Sequence, residues 1–402
     1  MANALRKSRS AHTSNNRHDA AARPGRAKGV ACAVSFACAA LLQPAPANAA
    51  SPNDTLVSPR LENGRVVFSV YAPDAAAVQL SGEIFDYGKF APLTKAANGV
   101  WSLVVPAVAP GTYRYSFRIG GADLADPRNT EATRSQTRVQ SLLHVPGIAV
   151  EDEQPVPHGA VAVVHYRSAA FPTLRRMHVY TPPGYAPDKG PYPVLYLLHG
   201  GGDSDENWST VGRAGFILDN LIAAGKARPM IVVMPAGHVP AADGSIAGAM
   251  TAMSEDAHKD PFTRDLMDTI VPYVETHYAA SPRDQDRAIA GLSMGGVQTG
   301  NIALAYTDKF PWVGIFSSGW FPEVRPEVER LHGKDMDKAA QTERLMWVGY
   351  GKTDIARDNS KAMLKMFAAH GIRYQELETE GGHSYANWRS YLARFAPLLF
   401  RD

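Results

Sequence analysis

A serine enclosed by glycines has the clearest chemical signature in this sequence. Ser293 lies in the stretch RAIAGLSMGG, between Gly291 and Gly295, with an apolar run before it and a helical pattern after it. Most serines in glycine-rich turns only cap the next helix. A Gly-x-Ser-x-Gly motif between a strand and a helix instead indicates a nucleophile, because the turn is sharp and side chains at the glycine positions would collide. We therefore predict that Ser293 is a catalytic nucleophile.

A serine nucleophile needs a histidine as base and an acid that orients the histidine. After Ser293, the residue Asp354 follows the strand pattern RLMWVGYG, and His383 lies in the glycine-flanked loop ETEGGHSYANW. We predict that these three residues form a catalytic triad. The competing acid Asp358 falls within the next predicted helix. The competing base His370 stands before a helix-ending glycine, where a histidine usually complements the helix dipole.

The tetrahedral intermediate of such a reaction needs two N–H donors for its oxyanion. The backbone N–H of Met294, directly after the nucleophile, is the expected first donor. The stretch LLHGGGDSDENW predicts Gly201 as the second donor, with Gly202 as the neighbouring alternative, and His199 as a structural residue. The same stretch lacks the glycine and glutamate of a calcium loop, and no Gly-Lys-Ser/Thr follows its glycines. We therefore expect no metal and no cofactor.

Residues 160–402 have the pattern of a mostly parallel sheet with helices on both faces. Strand-like apolar runs such as PYPVLYLLHG and PMIVVMPAG alternate with helical segments such as FTRDLMDTIVPYVETHY. This alternation is typical of α/β proteins, whose catalytic groups follow the carboxyl ends of the strands. Each of Ser293, Asp354 and His383 comes directly after a predicted strand, so this fold class would bring the three to one edge of the sheet.

Residues 58–147 show a different pattern, of short strands and turns. One face of the run GTYRYSFRIGG carries Tyr113, Tyr115, Phe117 and Ile119. Turn signals such as Asn63-Gly64 and Asn98-Gly99 separate the runs. The pattern predicts a small all-β sandwich, with Trp101 and the aromatic residues of this run in its core. The proline-containing residues 148–159 are interpreted as a linker.

Residues 1–49 are predicted to be a cleaved signal peptide. Seven basic residues precede the short apolar run GVACAVSFACAALL, which ends near the small-residue site Ala47-Asn48-Ala49. Removal of this segment would remove both cysteines, Cys32 and Cys38, and take the formal charge from +2 to −4. We therefore expect a soluble secreted or periplasmic protein that neither inserts into a membrane after cleavage nor binds nucleic acid.

Several stretches together resemble the secreted esterases related to feruloyl and acetyl-xylan esterases, the esterase D-like branch of the α/β-hydrolases. They are YPVLYLLHGGG, GRAGFILDNLIAAGKARPMIVVMPAGH, RAIAGLSMGG and EGGHSYANWRSYLARFAPLLF, and the resemblance covers about residues 158–402. It implies an α/β-hydrolase fold, with Ser293, Asp354 and His383 matching the family's serine, aspartate and histidine. Residues 58–147 are similar to the immunoglobulin-like domain that precedes some of these esterases, which is related to glycogen-recognition modules.

The resemblance and the predicted export favour an esterified oligo- or polysaccharide as substrate, with feruloyl or acetyl esters of xylan hydrolysed through an acyl-enzyme. The charged segment between Trp320 and Leu345 has no apolar face suited to a lipid-covering lid. Aromatic residues near predicted loop tips could stack on a sugar or a phenolic acyl group, although packing around the loops accounts for each equally well. They are Trp208, Trp320, Phe321 and Tyr385. An acyltransferase, a siderophore esterase and a non-enzymatic glycan-binding protein are the alternatives.

Overall fold

Two small antiparallel sheets precede one large mixed sheet along the chain. The computed structural model describes residues 51–86, 88–239 and 256–401, so the predicted signal peptide and its two cysteines lie outside the described residues. These described residues belong to one compact unit. No helix in the described part of the chain is both long and apolar enough to cross a membrane.

The first small sheet has the strand order β1-β2-β6-β5 and the second has the order β4-β3-β7-β10-β9, with β8 paired to β7. A short helix, α1, precedes them. The element bounds are α1 Pro52–Thr55, β1 Arg60–Glu62, β2 Arg65–Tyr71, β3 Val78–Gly82, β4 Phe90–Pro92, β5 Thr94–Lys95, β6 Val100–Pro106, β7 Gly111–Ile119, β8 Ala122–Leu124, β9 Ala132–Arg134 and β10 Val139–Val145.

The two small sheets pack face to face, as the alternating pattern predicts. Tyr115 and Phe117 of β7 are fully buried against Phe68 of the opposite sheet, and Trp101 belongs to the same core. Tyr115 and Phe68 pack edge to face with ring centroids 4.9 Å apart. Both the all-β architecture and the core role of these aromatic residues are therefore confirmed.

The predicted linker is firmly anchored to the structure around it. Glu151, within residues 148–159, is 2% exposed, and its carboxylate pairs with the equally buried Arg389 at 2.5 Å. Arg389 also donates hydrogen bonds to the backbone oxygens of Thr112 in β7 (3.1 Å) and Val211 (3.0 Å). This buried cation therefore joins the all-β domain, the connecting segment and the large domain.

The large sheet has eight strands in the order β11-β12-β14-β13-β15-β16-β17-β18. The pairings of β12 with β11 and β14 are antiparallel, and all others are parallel. The strand bounds are β11 Ala160–Arg167, β12 Leu174–Thr181, β13 Val194–Leu198, β14 Ile231–Pro235, β15 Arg287–Leu292, β16 Trp312–Phe316, β17 Leu345–Gly351 and β18 Gln375–Thr379.

Helices cover both faces of this sheet. Along the central strands, Tyr196 and Ile289 face one core, whereas their neighbours Leu197 and Ala290 face the other. Helices α2 and α8 pack into the second core, and α3 to α7 pack into the first. Their bounds are α2 Ala214–Ala223, α3 Pro261–Asp265, α4 Val271–His277, α5 Met294–Ala305, α6 Arg325–Thr342, α7 Arg357–Ala369 and α8 Tyr385–Phe395. A π-helical turn, Leu266–Ile270, joins α3 to α4.

Helix α6 occupies most of the charged segment between β16 and β17. The helix does have an apolar face, but Val328, Met336 and Ala339 on that face are buried in the core. These residues recur at helical spacing and pack α6 against the sheet and its neighbouring helices. The apolar face is thus used within the domain, so α6 does not form a lid.

Candidate active site

Ser293 occupies the turn between β15 and α5 in a backbone conformation that L-residues rarely adopt, with φ +52°. A Cβ atom at Gly291 would lie 2.3 Å from the backbone oxygen of Gly295, and one at Gly295 would lie 2.5 Å from that of His199. Both contacts are closer than a carbon atom tolerates, so the motif requires glycine at both positions. The strain fixes the serine hydroxyl above the carboxyl edge of the sheet.

The three predicted triad residues lie in hydrogen-bond contact with one another. His383 Nε2 is 3.0 Å from Ser293 Oγ, and His383 Nδ1 is 2.8 Å from Asp354 Oδ1. Asp354 follows β17 and His383 follows β18, so the parallel strands deliver all three residues to the same edge. This is the geometry in which an imidazole can accept the serine proton while a carboxylate orients its ring.

The buried Asp354 carboxylate is held in its charged form. Burial by itself raises the pKa of Asp354, but the hydrogen bonds of its Oδ1 with His383 and with the N–H of Ala356, together with the nearby hydroxyl of Ser317, lower this pKa below its usual value. The side chain of Asp354 is completely inaccessible to solvent, whereas that of His383 is 21% exposed. The carboxylate is thus shielded from solvent, while the imidazole remains partly accessible.

The two competing residues lie away from this arrangement. Asp358 is in the first turn of α7, and its side chain is 94% exposed. His370 follows the last turn of the same helix and bonds to the carboxylates of Asp337 (2.8 Å) and Glu329 (2.7 Å). The bond to Asp337 is the main cause that raises the pKa of His370, and Glu329 adds to it. Neither residue thus belongs to the hydrogen-bonded chain of Ser293, His383 and Asp354.

The predicted oxyanion donors, Met294 and Gly201, belong to two segments that adjoin Ser293. Met294 is the first residue of α5, where a backbone N–H has no partner within the helix. Gly201 lies in a solvent-exposed turn that is closed by a hydrogen bond from the Asp203 N–H to the Gly200 oxygen (3.3 Å). We name the residues 200–203 the glycine turn. A Cβ atom at Gly200 would lie 3.3 Å from the Cβ of Ser293, so this turn adjoins the nucleophile.

His199 is buried immediately before the glycine turn, and the structure supports its structural interpretation. Its Nε2 accepts a hydrogen bond from the N–H of Gly237 at 2.8 Å, so this nitrogen is unprotonated. Burial lowers the pKa of His199, which keeps the ring neutral. The imidazole therefore ties the loop after β13 to the loop after β14.

Three of the four aromatic residues expected at loop tips are in the core instead. Trp208 is fully buried and donates its indole N–H to the Leu198 oxygen (3.0 Å), and Trp320 and Tyr385 are each 1% exposed. The expectation that these three stack on a substrate is therefore wrong, because no face of their rings reaches solvent. Phe321 is 54% exposed, in the segment after β16.

Sequence reasoning missed several groups around the triad. Ser317 directly follows β16, and its hydroxyl helps to lower the pKa of Asp354. The same hydroxyl accepts a hydrogen bond from the indole N–H of Trp388 at 2.8 Å. Ser318 donates to the backbone oxygen of Ser293 at 2.6 Å, which supports the strained turn. In the sequence, these two residues show only as a pair of serines after the strand in GIFSSGW. Small polar residues are common after strands, so this pair did not indicate a role at the site. Among the described residues, no group of three or more His, Cys, Asp or Glu residues could hold a metal ion.

The mixed sheet, the strained serine turn and the residues at the strand ends define an α/β-hydrolase. The enterobactin esterase from Shigella flexneri has the same fold, with a TM-score of 0.61 at 16% identity over 89% of this chain and 99% of that one. The ferulic acid esterase from Anaeromyces mucronatus has a TM-score of 0.55 at 22% identity, over 63% of this chain and 96% of that one.

A family model described as "Putative esterase" matches residues 168–399, and the chain belongs to this family. Residues 55–134 match carbohydrate-binding module 48, the isoamylase N-terminal domain. An endo-1,4-beta-xylanase/feruloyl esterase from Xylanibacter ruminicola is 31% identical over 84% of this chain and 45% of that protein. The endo-1,4-beta-xylanase Y from Acetivibrio thermocellus is 32% identical over 48% of this chain and 18% of that protein. The chain therefore spans less than half the length of these curated relatives.

Proposed function

We propose that this protein is a secreted or periplasmic serine esterase that hydrolyses feruloyl or acetyl esters on xylan through an acyl-enzyme. The observation that carries the proposal is the continuous hydrogen-bonded chain from Ser293 Oγ through His383 to the buried Asp354. The strained serine turn supports it, because this turn presents the hydroxyl at the sheet edge where the other two residues lie.

In the proposed mechanism, His383 Nε2 removes the proton from Ser293 as its oxygen attacks the ester carbonyl carbon. The N–H groups of Met294 and Gly201 bind the resulting oxyanion. The intermediate collapses, and His383 gives its proton to the departing alcohol oxygen, which leaves an acyl-enzyme. Water then attacks this ester with His383 as base, and the free acid and Ser293 are released. Asp354 stays ionised and keeps the proton on His383 Nδ1.

An aromatic acyl group suits the rim of this site. Phe321 and Ile355 are apolar and 54% and 83% exposed, and they follow the neighbouring strands β16 and β17. Ile355 is adjacent in sequence to the triad acid. Exposed apolar groups at this edge can contact the ring of a feruloyl ester, whereas an acetyl group offers them little area. The name of the Xylanibacter relative, which includes feruloyl esterase, supports the same substrate.

Replacement of the nucleophile tests the reaction class. Ser293→Ala should lower kcat/KM for p-nitrophenyl acetate by at least about 10³-fold, and it should abolish labelling by a fluorophosphonate probe. The matched control is Ser390→Ala, which removes a hydroxyl from the solvent-accessible side of α8. Turnover near the wild-type level in Ser293→Ala would contradict the assignment.

A siderophore esterase is the second candidate, because the Shigella flexneri enterobactin esterase matches 89% of this chain, whereas the Anaeromyces ferulic acid esterase matches 63%. Methyl ferulate, acetylated xylan and a catechol triester, each supplied to the wild-type protein, would separate the two. We expect the highest kcat/KM with methyl ferulate. Hydrolysis of the catechol triester alone would support the second candidate instead.

A further inference from the structure

The glycine turn of the large domain is bound by the all-β domain. The N–H of Gln136 donates to the backbone oxygen of Gly202 at 2.9 Å, and the hydroxyl of Ser204 donates to the backbone oxygen of Arg134 at 2.6 Å. Arg134 ends β9 and Gln136 follows it shortly after. The turn proposed to supply an oxyanion donor is therefore held from outside its own domain.

A charged contact reinforces this attachment. Arg114 of β7 donates from Nη1 to Asp203 Oδ1 at 2.6 Å, and its guanidinium lies 5.2 Å from the ring centroid of Tyr385. The hydroxyl of Tyr385 donates to the other Asp203 oxygen, Oδ2, at 2.9 Å. Arg114 is itself oriented by Glu83, whose Oε1 accepts from Nη2 at 2.6 Å. Both oxygens of one carboxylate are thus fixed, one by each domain.

Asp203 links the glycine turn to the segment that carries His383. Its backbone N–H closes the glycine turn that contains Gly201, and its carboxylate accepts from Tyr385, which follows His383 by two residues. We propose that Arg114, in the all-β domain, is a positioning residue of the active site. By neutralising and orienting Asp203, it sets the glycine turn against Ser293. This inference rests on the proposed function.

The burial of Asp203 explains why turnover should depend on Arg114. Asp203 is 6% exposed, so loss of its cation would leave a carboxylate with little access to water. Such a group must either move toward solvent, and displace the turn, or stay near the place where a second negative charge develops on the oxyanion. Both outcomes destabilise the transition state more than the bound substrate, so the effect should appear in kcat.

The experiment uses the full chain with methyl ferulate and p-nitrophenyl acetate as substrates. We expect Arg114→Met to lower kcat at least tenfold and to change KM less than threefold. Adding Asp203→Asn should restore at least a third of the lost kcat, because the amide removes the charge and keeps an oxygen for Tyr385. Arg114→Lys, which keeps the charge, should retain more activity than Arg114→Met.

Arg118→Met is the matched control. Arg118 lies on the same strand, and its contacts with Asp123 at 2.7 Å and with the ring of Phe90 lie within the all-β domain. We expect wild-type kcat for this variant. If Arg114→Met does not fold, Tyr385→Phe replaces it, because that change removes only the hydroxyl that binds Asp203 Oδ2, and it should also lower kcat.

The fluorophosphonate labelling rate of Ser293 separates this inference from the proposed function, because it reports the serine and the oxyanion donors without a natural substrate. Slow labelling of Arg114→Met with fast labelling of Arg118→Met supports the inference even if xylan esters prove to be the wrong substrates. Wild-type labelling and kcat in Arg114→Met would overturn it. A kcat defect that Asp203→Asn does not relieve would also overturn it, since Arg114 would then be merely structural.

Discussion

Strand β17 has a buried carboxyl group beyond each of its ends, and the surroundings of the two groups are opposite. Beyond the carboxyl end, Asp354 accepts from His383 and Ala356, and its pKa is lowered although burial acts to raise it. Before the amino end, the carboxyl oxygens of Glu343 are buried and neither has a hydrogen-bond partner among the described residues, whereas in Asp354 only Oδ2 lacks one. Burial raises the pKa of Glu343 well above its ordinary value.

The difference follows from the direction of the neighbouring helices. Glu343 directly follows the last residue of α6, where unpaired carbonyl groups disfavour a negative charge. Asp354 lies shortly before α7, and the N–H of Ala356, the residue that precedes this helix, donates to it. In a parallel sheet the carboxyl ends of the strands are followed by helix amino termini, which favour a negative charge. Burial alone therefore does not decide the charge of a carboxyl group here.

The largest expected effect comes from removing the charge that the carboxyl edge stabilises. Asp354→Asn should lower kcat/KM for p-nitrophenyl acetate by about 10⁴-fold, because the amide favours the wrong tautomer of His383. The melting temperature should change little, since the shape of the side chain is kept. Steady-state kinetics and calorimetry on the same preparation measure the two effects.

Asp358→Asn is the control for this replacement. Its carboxylate is exposed on α7, so activity should stay within about twofold of wild type. The comparison of the two strand ends would fail if Asp358→Asn abolished hydrolysis and Asp354→Asn did not. In that case the acid of the triad would be misassigned, although Ser293 and His383 could still act as nucleophile and base.

A smaller effect is expected when one of the donors around Asp354 is removed. Ser317→Ala deletes a hydroxyl near Asp354 that helps to lower the pKa of this carboxyl group, so the pKa of Asp354 should rise. A hydrogen bond to a charged group contributes about 1.5–3 kcal/mol, so kcat/KM should fall about tenfold or more. Equal activity of Ser317→Ala and wild type would show that the remaining donors suffice.

The fold could be predicted from the sequence because the two patterns that indicate it are local. Alternation in β7 and the alternation of apolar strands with helices do not depend on distant contacts. The serine turn was recognisable for the same reason at Gly291, where a side chain would collide with the backbone of Gly295. The need for glycine at Gly295 comes from the distant His199, which follows β13. The positions of Asp354 and His383 followed from the rule that catalytic groups succeed strands.

The contacts between domains were not predictable in this way. Nothing in the pattern around Arg114 indicates that it meets Asp203, 89 residues later, or that Arg389 meets Glu151, 238 residues earlier. The buried Trp208 and Trp320 were mistaken for loop-tip residues because a tryptophan near a strand end has the same sequence signature in the core and at the surface. Burial of this kind depends on the packing of several segments, which no single segment encodes.

The smallest effect is expected from a replacement of Glu343, which precedes the amino end of β17, and it concerns stability. The unfolded chain releases the Glu343 proton at a lower pH than the folded chain, so stability is lost as the pH rises above the ordinary glutamate value. Glu343→Gln cannot ionise and should raise the melting temperature at pH 8 by roughly 2–4 °C, with almost no difference near pH 4. Kcat should be unchanged. Glu380→Gln, at an exposed carboxyl, is the control and should have no effect at either pH. A gain in Glu343→Gln that is the same at pH 4 and pH 8 would mean that the charge of Glu343 is not its cause, and the contrast with Asp354 would then rest on packing.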